Sequence, residues 1–228
     1  MRKTVIFDLD GTLIDTEKYF KVFWRQAAAH FGFEMSEAQA LRLRSLGRPY
    51  APALLKEWFG ETFDYVAVRE YRRKIMKEHL DKVGIELKPY AEQALLWLSA
   101  NGYRAAVATA TQAERATEQL RQLGIADYFD EIVSAASLEK GKPAPDVYLY
   151  ACERLGENPK DCFAVEDSPN GVLSAYAAGL KVIMVPDQTK PDEELSSKLY
   201  ACIPSLLELQ AVLSGCQLEL VYNYYWHI

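Results

Sequence analysis

No apolar stretch of this 228-residue chain reaches the ~18 residues that a transmembrane helix requires, so no membrane span is expected. Positive charge is not in excess. Lys and Arg number 26 against 32 Asp and Glu, and the formal net charge of −6 argues against a broad nucleic-acid or membrane surface. Histidine is scarce, and His30, His79 and His227 are isolated from one another, so none is required for catalysis. The four cysteines, Cys152, Cys162, Cys202 and Cys216, are scattered, and no two share a metal-ligand spacing. Reduced thiols packed inside a cytoplasmic protein are the expectation. There is no signal-peptide pattern, because the N-terminus runs straight into a strand, Thr4 to Phe7. No internal repeat or low-complexity segment is visible. What remains is ordinary soluble composition, 50% apolar and 25% charged, long enough for a full core with a modest insertion.

Short apolar, β-rich runs recur at 4–7, 105–108, 131–133, 162–165 and 182–185. Helical stripes lie between the later ones. Ala91, Ala94, Leu95 and Leu98 fall at i, i+3, i+4, i+7; so do Ala113, Ala116, Thr117 and Leu120, and so do Val172, Ala175, Tyr176 and Gly179. Strand and helix alternating in this way imply an α/β fold, a doubly wound parallel sheet covered on both faces. Ser205 and Glu208 have capping-box spacing and mark a last helix.

Between the first strand and the second the pattern breaks. Residues 15–86 contain no convincing strand. Phe20, Phe23, Trp24, Ala27, Ala28 and Phe31 make one wide helical stripe that Gly32 ends, and Ser36 with Gln39 can cap a second helix. Leu54, Leu55 and Trp58 mark a third, and 65–80 a fourth. The expected organisation is a core of residues 1–15 and 87–215, a helical insert of 16–86, and a tail of 216–228. The crossings near 14–16 and 84–89 adjoin the first strand's acids, so the insert is expected to open and close as a lid, the alternative being a rigid helical subdomain that only enlarges the core.

Ligands of open parallel sheets bind beyond the carboxyl ends of the strands. Those ends carry Asp8-Leu9-Asp10-Gly11-Thr12, Ala108-Thr109-Ala110-Thr111 and Val165-Glu166-Asp167-Ser168, with Gly141-Lys142-Pro143-Ala144-Pro145-Asp146 between the third and fourth. Singly, each has an ordinary explanation: a turn acid, a helix cap, a solvated loop lysine. Together they place four carboxylates, a hydroxyl and a lysine on one rim. Clustered carboxylates repel unless a cation or a proton intervenes, and oxygen ligands suit magnesium. A lysine and a hydroxyl beside such a cation suit a phosphoryl group, with a carboxylate as nucleophile and a second as acid and base.

These segments resemble the four motifs of the haloacid dehalogenase superfamily of phosphohydrolases, and more narrowly its β-phosphoglucomutase-like phosphatases with a helical cap. The resemblance covers residues 3–210 and implies a Rossmann-like core, Mg2+ as cofactor and the following roles. Asp8 is nucleophile and metal ligand. Asp10 is general acid and base, its carbonyl also on the metal. Thr109 and the Ala110 amide hold the phosphoryl group, Lys142 neutralises it, and Glu166 and Asp167 complete the metal site. Arg48 falls where the cap loop of similar proteins reaches substrate.

The implied reaction is hydrolysis of a small phosphomonoester, a sugar phosphate or similar metabolite. A phosphosugar mutase is the alternative. Asp15, Thr16 and Tyr19 match the mutase, but Phe20 stands in place of its histidine. A phospho-accepting switch or an inactive binding protein is the alternative of another class; a switch needs neither the insert nor Asp10, and an inactive protein need not keep every motif residue. No nucleic-acid or membrane partner is expected, and the chain is expected to be a monomer or weak homo-oligomer. Tyr50, Trp58 and Tyr65 are candidates to face the site. In the tail, Leu218, Leu220 and Tyr222 alternate as in a strand.

Overall fold

The computed structural model describes residues 3–215, so the tail and its alternating residues lie outside it. The chain runs β1 (Thr4–Phe7), α1 (Glu17–His30), α2 (Glu37–Arg42), α3 (Tyr50–Phe59), α4 (Tyr65–Val83), α5 (Ala91–Ala100), β2 (Arg104–Thr109), α6 (Ala113–Gln122), β3 (Glu131–Ser134), α7 (Asp146–Leu155), β4 (Cys162–Glu166), α8 (Pro169–Ala177), β5 (Lys181–Met184), α9 (Glu193–Ser196), β6 (Ala201–Cys202) and α10 (Leu209–Leu213).

All neighbouring strands pair in parallel, in the order β3-β2-β1-β4-β5-β6. Side chains alternate across the sheet and both sets are apolar. Val5, Phe7, Val107 and Val165 pack under α5, α6 and α10, while Ile6, Ala106, Ala108 and Ala164 pack under α7 and α8. The five expected strands are present with ends shifted by a residue. β6 is additional, since two residues are too few to show a period. Ser205 caps a 3-10 turn that leads into α10. The third helical stripe holds in part: Val172 and Ala175 are buried, but Tyr176 is 50% exposed and Gly179 lies past the end of α8.

The chain moves from β1 to β2 and β3 on one side, then returns to lay β4, β5 and β6 on the other. The order therefore reverses at β1, and the crevice at the carboxyl ends of β1, β2 and β4 is where such a sheet takes its ligand.

The four helices between β1 and α5 have their own core, in which Trp24, Ala27, Ala28, Leu43, Leu55 and Val68 are buried together. Ser36 and Gln39 form the expected capping box. The two crossings run side by side: Asp15 N donates to Glu86 O at 2.9 Å, Lys88 N donates to Leu13 O at 2.9 Å, and Ile14 bridges Leu87 antiparallel. The insert is also docked onto the sheet's ligand edge. Gly47 N donates to Lys142 O and Gly141 N to Arg48 O, both at 2.8 Å, and Asn170 Nδ2 donates to Arg44 O at 2.8 Å. A Cβ on Gly47 would lie 2.5 Å from Gly141 Cα, so the two backbones meet this closely only as glycines.

Candidate active site

Asp8 extends β1 by one ladder bond, its amide donating to Val165 O at 2.9 Å. The strand thus delivers a carboxylate directly beside the end of β4, and the side chain is 2% exposed. Gly11, at φ +89°, turns the chain immediately afterwards, and a Cβ there would collide with Asp167.

Lys142 is fully buried. A lysine in that position must have its three protons accepted. Asp8 Oδ1 lies at 2.5 Å, Glu166 Oε1 at 2.6 Å and Ala108 O at 3.1 Å. The Tyr148 hydroxyl donates to Glu166 Oε1 at 2.6 Å, and its ring lies 5.2 Å from the ammonium. Asp8 and Glu166 together hold Lys142 above its ordinary range, although burial alone would lower it.

The carboxylates are under the opposite pressure. Burial pushes Asp8 up to about 7; Lys142 opposes the shift, and the neighbouring Glu166 adds to it. Burial also raises Asp167 well above the carboxylate range, with Arg44 opposing. One oxygen each of Asp8, Glu166 and Asp167 lie within 4.8 Å of one another. Asp8 Oδ2, Glu166 Oε2 and Asp167 Oδ1 are sealed from solvent and accept no hydrogen bond. Buried acceptors of this kind are costly unless something positive meets them, and an all-oxygen set fits a hard divalent cation such as Mg2+.

Asp10 is set apart from this group. Thr16 Oγ1 donates to its Oδ1 at 2.6 Å and Thr111 Oγ1 to its Oδ2 at 2.7 Å. Its two oxygens are fixed by hydroxyls, and it faces a cavity of about 150 Å³ whose wall also includes Asp8, Ala110, Thr111 and Arg48. Thr109 is fully buried and is not part of that wall. Its hydroxyl accepts from Thr111 N at 3.0 Å, which shapes the loop. Of the three aromatic candidates, Tyr65 lines the cavity, while Tyr50 and Trp58 do not.

Three participants were given no role by the sequence. Arg44, on the loop after α2, is 1% exposed. Its Nε donates to Glu17 Oε2 at 3.0 Å, one terminal nitrogen to Thr189 Oγ1 at 3.0 Å, and the other to Asp167 Oδ2. Burial pushes Glu17 up to about 8, with Arg44 pulling it back. Thr111 is the third. It follows Thr109 at strand spacing, which is the one cue that could have singled it out.

With this geometry in view, the comparisons with known proteins are direct. Residues 5–185 match the family model described as "Haloacid dehalogenase-like hydrolase". The fructose-1-phosphate phosphatase YqaB of Escherichia coli is 31% identical over 79% of this chain and 95% of its own. The "Phosphorylated carbohydrates phosphatase" of Thermotoga maritima is 33% identical over 79% of this chain and 83% of its own. The crystal structure of β-phosphoglucomutase from Clostridium difficile superimposes with a TM-score of 0.79, covering 94% of this chain and 98% of its own at 23% identity, a likeness of fold.

Proposed function

The chain belongs to the haloacid dehalogenase-like hydrolases and is a phosphatase, and we propose that it hydrolyses a small phosphomonoester, a sugar phosphate or similar metabolite, through an aspartyl phosphate on Asp8 with Mg2+ as cofactor. The observation that carries this reading is the division of labour at Asp8. Lys142 holds Oδ1, Oδ2 accepts no hydrogen bond, and Asp8 shares the wall of one cavity with Asp10.

The Asp8 carboxylate attacks phosphorus, forming the Asp8 O–P bond as the P–O bond to the leaving alcohol breaks. Asp10, in its acid form, gives its proton to the leaving oxygen. As carboxylate, it then takes a proton from the water that attacks the acyl phosphate, releasing inorganic phosphate and restoring Asp8. Lys142 favours the ionised form of Asp8 and offsets charge on the transferring group. The Ala110 amide, in the loop that Thr109 shapes, orients that group. Mg2+ would be held by Asp8 and Asp167, with Glu166 and the Asp10 carbonyl beside them, and would supply neutralisation of the phosphoryl oxygens.

Residues 16–86 act in this reading as a cap over a core of 1–15 and 87–215, with Arg48 at the substrate. The mutase alternative is not favoured, since Phe20 lines the cavity and an aromatic hydrocarbon moves no proton. Phosphate release from a panel of phosphomonoesters, including β-glucose 1-phosphate, is to be measured with Mg2+ and with EDTA. Mg2+-dependent release is expected. Isomerisation without release would instead support the mutase, and silence in both would return the switch or binding protein.

A further inference from the structure

Five arginines line the cavity over Asp8 and Asp10 in a chain whose net charge is negative. Arg69, Arg72 and Arg73 share one face of α4 at i, i+3 and i+4, Arg48 precedes α3, and Arg115 comes from α6. Like charges at helical spacing repel. Carboxylates also line the cavity, but among the described residues the only one paired with these arginines is the exposed Glu70, which Arg73 and Arg69 share at 2.9 and 3.5 Å. Among the described residues, no ion pair involves Arg48, Arg72 or Arg115.

Arg72 is the centre of this group. Its guanidinium lies 4.7 Å from the Phe20 ring and 5.3 Å from the Trp24 ring, so the plane is braced by aromatic faces. Its Nε is sealed from solvent and has no hydrogen-bond partner, and NH1 reaches only the Met76 sulfur, at 3.5 Å. Burial, then Arg73, Arg69 and Arg115, hold it down at about 10, while Asp10 pulls the other way. A half-buried guanidinium with a sealed, unpartnered Nε, crowded by three others and braced against aromatic rings, is costly without an anion.

The transferring phosphoryl group does not account for it. That group's charge is met at the floor by Lys142 and the carboxylate-held cation site. We infer that the cavity takes a substrate with two anionic groups: the phosphoryl group delivered to Asp8, and a second phosphate or carboxylate held by Arg72 with Arg69, Arg73 and Arg115. The guanidinium fork fits either anion through paired N–H donors. This inference rests on the phosphatase reading of Asp8 and names the substrate class for it.

The test uses matched pairs that differ by one anionic group: fructose 1-phosphate against fructose 1,6-bisphosphate, and glucose 6-phosphate against 6-phosphogluconate. The doubly anionic member of at least one pair is expected to show kcat/KM about tenfold or more above its partner. A preference in the first pair assigns the second anion as phosphate, and in the second pair as carboxylate. The ratio should fall toward one in Arg72→Met and in Arg115→Gln, the latter keeping the braced residue in place. Hydrolysis without preference in either pair, or a preference unchanged in Arg115→Gln and in folded Arg72→Met, overturns the inference. Calorimetric titration of Asp8→Asn with the same four compounds separates the two readings. Tighter binding of a doubly anionic member without any turnover by the wild-type enzyme would retain the arginine site and refute the phosphatase. Equal binding within both pairs would refute the site.

Discussion

Arg44 and Asp167 are joined across the two parts of the molecule, a guanidinium from the helical insert donating to a carboxylate just past β4, both buried. The same guanidinium holds Glu17 at the start of α1. The docked position of the insert and the charge state of the acid cluster are therefore one arrangement.

Arg44→Met leaves two buried carboxylates without their cation. Removing one partner of such a pair costs about 3–5 kcal/mol, so the denaturant midpoint of the metal-free protein should fall accordingly. Arg44→Lys should recover only part, because a single ammonium cannot span Glu17, Thr189 and Asp167 together. A midpoint within experimental error of wild type in Arg44→Met would show that the cluster does not depend on this residue.

Gly47→Ala tests the docking itself. The added Cβ meets the backbone of Gly141, which cannot yield as a side-chain tip would. A displacement of about 1 Å at a reacting centre can cost about a hundredfold, so kcat/KM should drop by about tenfold to a hundredfold, with the far-ultraviolet circular dichroism unchanged. Unaltered kinetics would mean that turnover does not require the Gly47–Gly141 approach.

Metal and pH are linked through the raised carboxylates. Asp8 at about 7 and Glu17 at about 8 stand above the unfolded values of roughly 3.9 and 4.3. Between about pH 4 and pH 8 the folded protein retains protons that the unfolded chain has released, so stability falls as pH rises through that window. Lys142, raised, stays protonated throughout and adds no slope. A cation that needs ionised carboxylates stabilises more as pH rises. Thermal melts in EDTA should show a Tm lower at about pH 8 than at about pH 5, with the larger Mg2+ shift at about pH 8. A flat Tm in EDTA, or a larger Mg2+ shift at the lower pH, contradicts this.

Lys142→Ala removes the cation shared by Asp8 and Glu166. It should lower kcat while also destabilising the metal-free protein by about 3–5 kcal/mol. A wild-type rate would confine Lys142 to folding.

The sheet and the site's floor were legible because strand ends carry their chemistry in contiguous motifs: Asp8 with Asp10, Glu166 with Asp167, and Lys142 in its loop. Ser36 and Ser205 announced their turns through local capping bonds. Arg44 was not legible, because its role exists only once the insert docks and brings Asp167, 123 residues away in sequence, into reach. Thr109 illustrates the converse. Its motif position was plain, yet its hydroxyl serves the Thr111 amide, and Ala110 and Thr111 reach the cavity. β6 was hidden because a two-residue strand is fixed by its partner β5 rather than by its own pattern.

The most direct test of the account is acid-quench mass spectrometry of the enzyme in its first turnover with Mg2+ and a hydrolysed phosphomonoester. A phosphoryl group should appear on the peptide containing Asp8. Asp8→Asn should show none, and its turnover should be reduced by about a thousandfold or more. Turnover with no phosphoenzyme, a phosphoryl group on another residue, or a tenth or more of the wild-type rate retained by Asp8→Asn would contradict the assignment of Asp8 as nucleophile.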